Sequence, residues 1–195
     1  MVFKINSFYK LVLLHTFIIA LSNYLVQFPF NFFGVLVTWG MFTFPFLVLA
    51  TDLTVRILGK STARKVVFLA YIPCVLISIS LNSFRVGFAS GLAYLFGQLL
   101  DIFLFQKVRQ KSKKWWSAPL LSTSFSNIFD TYIFFFMSFY NCNNEFLREN
   151  WLQIAHADLI FKLVLSTIFF LPLYGFLLKI ILGVDKVSSK KVVIS

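Results

Sequence analysis

The stretch VGFASGLAYLFGQLLDIFLF (86–105) decides the class of this chain. It is a long apolar run, broken most expensively by Gln98 and Asp101. As an α-helix it covers the ~30 Å of hydrocarbon in a bilayer. It lacks the alternation that a lipid-facing barrel strand requires, so a helix is the expected form. The rest of the chain is of the same kind. Its 195 residues are 59% hydrophobic and 13% charged, with a mean hydropathy of +0.84. A water-soluble domain of this length could not hide so much apolar surface. Six apolar segments follow one another at 11–30, 32–50, 66–84, 86–106, 119–140 and 159–182, each close to the ~20 residues a spanning helix needs. The expected fold is all-α: a polytopic membrane protein with a six-transmembrane-helix bundle as one integral membrane domain over 1–195.

Charge sets the expected orientation. Fifteen of the 18 lysines and arginines fall at the N-terminus, in the loops after the second and fourth segments, or at the C-terminal end with Lys179, Lys186, Lys190 and Lys191. The opposite side holds Arg85, Arg148 and Lys162. Count and parity agree on cytoplasmic termini. The net charge of +11 therefore reads as a topology signal, and no direct nucleic-acid partner is expected. The loop KVRQKSKKWW (107–116) reads as an anionic-lipid contact with an interfacial aromatic anchor. Lys4 and Lys10 before an apolar run resemble a signal peptide, but no small-x-small cleavage site follows, so a retained first span is expected. Cys74 and Cys142 are expected to be unpaired.

The polar residues inside the spans carry the functional reading. A charged side chain at mid-bilayer costs ~2.5–3.5 kcal/mol, so it faces a cavity or a partner. Asp130 lies mid-span in SNIFD (126–130), with Asn127 three residues earlier on the same helical face. GQLLD (97–101) repeats the spacing with Gln98 and Asp101. Two helices each offering an amide and a carboxylate suit a neutral, donor-rich ligand, because carboxylates accept N–H bonds while amides donate and accept. Asp158 and Lys162 stand at i, i+4, either as a self-neutralising pair or as one lining of a cavity mouth. Asn82 and Arg85 share a level on the third and fourth segments. In TDLTVR (51–56), Asp52 and Arg56 offer a gate or second tier, against an ordinary interfacial turn. His15 and His156 are not spaced as metal ligands, and no HExxH, Cys/His cluster or Walker A sequence is present. No cofactor is expected, and with no nucleophile–base pair an intramembrane enzyme is disfavoured.

Four stretches, TFPFLVLATDLTVRILG (43–59), SLNSFRVGFASGLAYLFGQLLDIFLF (80–105), WWSAPLLSTSFSNIFDTYIFFF (115–136) and HADLIFKLVLSTIFFLPLYG (156–175), resemble the queuosine precursor transporter family. The resemblance runs over nearly the whole chain and keeps the order of the motifs. It implies a bacterial inner-membrane carrier for 7-cyano-7-deazaguanine and 7-aminomethyl-7-deazaguanine, with a fold similar to substrate-binding components of energy-coupling-factor transporters. It draws attention to Asp52, Gln98, Asp101, Asp130, Asp158 and Lys162, with Asn127 at a less fixed position. A deazaguanine presents N1–H and a 2-amino group side by side, which one carboxylate accepts together, so Asp130 or Asp101 is the expected reader of that edge. Three readings stay open: a solitary carrier, a substrate-binding subunit that needs a separate ATPase module, and an intramembrane enzyme. Proton coupling and homo-oligomerisation also stay open.

Overall fold

The computed structural model describes residues 2–25, 28–32 and 34–182. Lys186, Lys190 and Lys191, and residues 26–27 of the expected first span, lie outside the described residues. The chain is helical almost throughout: α1 (Val2–Leu25), α2 (Phe44–Leu58), α3 (Lys60–Leu81), α4 (Phe84–Lys111), α5 (Ser117–Phe139), α6 (Glu145–Leu165) and α7 (Leu171–Leu182). Among the described residues, five stretches are long and apolar enough to cross a membrane: Phe8–Leu25, Trp39–Leu58, Lys60–Leu81, Phe84–Lys111 and Glu145–Ile180. The remaining long helix, α5, is the polar one, and Ser122, Ser126, Asn127, Asp130 and Thr131 are all buried along it.

The second apolar segment differs from the expected continuous helix over 32–50. Two short strands, β1 (Pro29–Phe32) and β2 (Val35–Thr38), pair antiparallel, and a 3-10 turn (Trp39–Phe42) leads into α2. The reason lies in local chemistry. Gly34 adopts φ +85°, and its N–H donates to Asn31 Oδ1 at 2.8 Å, closing a tight turn before the apolar run can begin a helix. Pro45 then sits in the first turn of α2, where its missing N–H costs nothing. The helix start moves to Phe44, so Asp52 lies inside α2 and not at an interfacial turn.

The other joints follow from single residues. Gly59, at φ +87°, turns α2 directly into α3. Ser83 caps α4 by accepting from the Val86 N–H, and Asn144 caps α6 by accepting from Leu147 N–H at 3.1 Å. The stretch 141–150, expected as a loop, is therefore helical from Glu145 onward. Between α6 and α7 a five-residue π segment, Ser166–Phe170, continues the helix without a break. Such segments concentrate at functional positions.

Solvent sides are reversed relative to a soluble protein. Leu13, Phe17, Ile72, Leu76 and Ile168 are exposed, whereas Thr51, Asp52, Gln98, Asp101 and Asn127 are buried. This is the pattern of a bundle that presents apolar side chains to lipid and satisfies polar ones internally. The helix α4 packs against α2, α3 and α5. At Gly87 a Cβ would stand 2.5 Å from the Ile79 backbone nitrogen, so α3 and α4 meet backbone to backbone. Of the two tryptophans expected as an interfacial anchor, Trp115 is half-buried with its ring on Gly175 of α7, and Trp116 is exposed beneath Lys114.

Candidate functional site

A cavity of about 460 Å³ opens between α1, β2, α4, α5 and α6. Its walls are mainly apolar, with Phe134, Phe135 and Phe139 of α5 facing Met41 and Tyr94. Its charged members come from α5 and α6. Lys162 Nζ lies 2.8 Å from Asp158 Oδ2 and 3.5 Å from Asp130 Oδ2, and donates to Thr131 Oγ1 at 3.2 Å. Lys162 and Asp130 are nearly inaccessible, while Asp158 is partly exposed. The ammonium is held more closely by Asp158, so Asp130 keeps acceptor capacity toward the cavity. With two carboxylates and one ammonium, the charged cluster carries a formal charge of minus one. Such a cavity has the size and lining to accept a small flat ligand with N–H donors at one edge and an apolar ring.

Gly97 makes the position of Asp130 possible. A Cβ on Gly97 would lie 3.2 Å from the Asp130 Cβ, tighter than an ordinary contact, so the absent side chain lets α5 seat Asp130 against α4.

Gln98 and Asp101 share a helical face, as their spacing predicts, but that face turns toward α2. Thr51 Oγ1 donates to Gln98 Oε1, joining α2 to α4. Beside it, the buried carboxyls of Asp52 and Asp101 approach each other between α2 and α4. Ser126 Oγ donates to Asp101 Oδ1 at 3.5 Å. Asn127 donates to Ser166 Oγ in the π segment, also at 3.5 Å. The six residues expected at one binding site thus fall into two tiers. Asp130, Asp158 and Lys162 face the cavity; Gln98 and Asp101 join Thr51 and Asp52 in a second buried cluster, with Asn127 beside Ser166. Arg56 lies one turn beyond Asp52, where its Nη1 donates to Tyr174 Oη at 3.4 Å.

Of the other named residues, Asn82 lines the cavity. Arg85 does not: it is exposed and donates to the carbonyls of Met137, Tyr140 and Asn141, closing the C-terminal end of α5. Sequence reasoning missed the wall opposite the charged cluster. There Asn23 Nδ2 donates to Ser78 Oγ at 2.5 Å, and Ser90 Oγ donates to Asn23 Oδ1 at 3.3 Å, tying α1, α3 and α4 together. Asn23 and Ser90 line the cavity along with Ser22. The signal was the amide in IIALSNYL (18–25), a lone Asn within an apolar span.

The family described as "Putative vitamin uptake transporter" matches residues 38–84 and 76–177, which include both tiers. The "Queuosine precursor transporter" of Escherichia coli (strain K12) is 42% identical, over 92% of this chain and 90% of that protein. This chain belongs to the queuosine precursor transporter family. A "Probable queuosine precursor transporter" of Haemophilus influenzae is 40% identical over 86% of this chain, and one of Bacillus subtilis (strain 168) is 25% identical over 80%. No solved structure matches the chain. Members of this family are transporters and not enzymes. The helices described above make this member a multi-pass membrane protein.

Proposed function

We propose that this chain takes up queuosine precursors, 7-cyano-7-deazaguanine and 7-aminomethyl-7-deazaguanine, across the bacterial inner membrane. The binding site is the cavity bounded by Asp130, Asp158 and Lys162. The observation that carries the reading is the pairing of a buried, cavity-facing carboxylate with a wall of phenylalanines in a space of about 460 Å³. Asp130 accepts the N1–H and 2-amino hydrogens of the guanine-like edge together. Phe134 and Phe135 flank the ring, and Lys162, kept in place by Asp158, donates to the ring carbonyl. A ligand without the 2-amino group leaves a buried carboxylate under-satisfied and binds less well. The excess of basic residues near Lys10, in 56–65 and in 107–114 supports cytoplasmic termini and a single membrane domain over the whole chain.

Calorimetric titration of the purified protein with 7-cyano-7-deazaguanine tests this reading. Asp130→Asn removes a charged acceptor, and each hydrogen bond to a charged group is worth about 1.5–3 kcal/mol, so affinity falls about 10- to 150-fold. Equal affinity in wild type and Asp130→Asn would remove Asp130 from the site. Absence of binding to the folded wild type would overturn the substrate assignment.

A further inference from the structure

We propose that Asp52 and Asp101 form a proton-carrying carboxyl pair that couples substrate movement to a proton gradient, separate from the substrate cavity. The proposal rests on the reading of the chain as a carrier. Both side chains are almost fully buried, at 2% and 0% exposure, on neighbouring helices α2 and α4. The Thr51–Gln98 hydrogen bond fixes the register that brings them together. Each keeps one oxygen, Asp52 Oδ1 and Asp101 Oδ2, buried and without a hydrogen-bond partner. Of the nearby hydroxyls on α5, Ser122 donates to the Pro119 carbonyl, and Ser126 divides its hydrogen between Asp101 and the Thr123 carbonyl. Among the described residues no ion pair reaches either carboxyl. The titratable groups facing the pair are Arg56 from α2 and Tyr174 from α7, and these bond to each other.

Two ionised carboxylates side by side in a buried helix interior repel strongly, and no ion pair among the described residues offsets that repulsion. A shared proton removes the conflict. It converts one member into a donor toward the other and satisfies both orphaned oxygens.

The surroundings fit transfer of that proton. Asp52 borders a second, smaller void of about 20 Å³, enough for one water. The hydroxyl-bearing residues Thr123, Ser124, Ser166, Thr167 and Tyr174 line it. It touches the π segment of the last helix and Tyr174, the hydrogen-bond partner of Arg56. On the other side, Ser122, Ser126 and Asp130 recur every fourth residue along α5, so one stripe of that helix runs from the carboxyl pair to the substrate cavity. From Ser122 to Asp130 the rise is about 12 Å. A shift of α5 that reshapes the cavity therefore also changes the contacts of the pair. Loading adds a second proton and brings the pair from minus one to neutral; release on the other side of the membrane restores the shared-proton state.

Two measurements on the full-length protein in liposomes test this. The first needs no substrate: infrared spectroscopy across a pH series reports the carbonyl stretch of protonated carboxyl groups. Wild type is expected to show a band at neutral pH that disappears in Asp52→Asn/Asp101→Asn, and a spectrum unchanged by the double substitution overturns the proposal. The second compares exchange of labelled 7-cyano-7-deazaguanine against internal unlabelled compound with its accumulation under a pH gradient. One proton per substrate and a gradient of about one pH unit, worth about 1.4 kcal/mol, sustain about tenfold accumulation in wild type. Asp101→Asn is expected to keep exchange and to lose accumulation. Accumulation that ignores the pH gradient, or that follows a sodium gradient instead, overturns the proton assignment. Wild type that gives the infrared band but neither binds nor exchanges the compound refutes the substrate reading alone.

Discussion

Removal of Lys162 is the sharpest probe of the charged cluster. Its ammonium stands 2.8 Å from Asp158 and 3.5 Å from Asp130. At an effective dielectric of about 20 these distances correspond to gross attractions of roughly 6 and 5 kcal/mol. Burial of the ammonium consumes several kcal/mol of that sum, and substitution by methionine leaves two carboxylates side by side without a cation. Breaking a buried pair in this way costs about 3–5 kcal/mol. The lower end applies here, because Asp158 is 18% exposed and the cavity admits water. At roughly 2–4 °C per kcal/mol for a chain of this size, Lys162→Met lowers the unfolding midpoint by roughly 6–12 °C. Tryptophan fluorescence of the detergent-purified protein during a thermal ramp provides the assay. Adding Asp158→Asn removes the like-charge conflict and recovers about half of the loss. A Lys162→Met midpoint within the error of wild type would refute the reasoning: the three groups would then not form an ion-paired cluster in the folded protein.

Three further outcomes follow from the packing. Gly87→Ala places a methyl group against the Ile79 backbone, which cannot rotate away, and destabilises the protein by about 1–3 kcal/mol in the same thermal assay. Asn23→Ala leaves Ser78 and Ser90 without their partner at the cavity wall; a loss of about 1–2 kcal/mol is expected, with a matching decrease in the initial rate of substrate uptake. Arg85→Ala frees the carbonyls of Met137, Tyr140 and Asn141, so amide exchange at the end of α5 accelerates while uptake stays at the wild-type rate.

Helical, membrane-spanning character was readable from apolar length alone, and the Asp158–Lys162 contact from its spacing on one helix. The i, i+3 spacing of Gln98 with Asp101 also correctly placed the two on a shared face. Spacing along one helix does not say which neighbour that face meets, however. The turn of Gln98 and Asp101 toward Thr51 and Asp52 is fixed by how α2 crosses α4, and that crossing depends on where α2 begins. The start at Phe44 was hidden because a four-residue strand of phenylalanines and valines has the same hydropathy as a helix; Asn31, Gly34 and Pro45 carried the information. Asn23 and Ser78 passed unnoticed for a related reason, since a lone amide or hydroxyl in an apolar span is unremarkable until its partner on another helix is known. Asp130 stood out because a carboxylate in mid-span has no neutral explanation of comparable weight.

The most direct test of the account uses a bacterial strain that cannot make deazapurines and lacks its own precursor importer. The strain expresses this chain, receives a low concentration of 7-cyano-7-deazaguanine, and its tRNA is assayed for queuosine, with Asp130→Asn in parallel and membrane insertion of both verified. The account predicts queuosine in tRNA with the wild type and little or none with Asp130→Asn. Queuosine restored equally by both would contradict the placement of the substrate at Asp130, and none from an inserted wild type would contradict the proposed function itself.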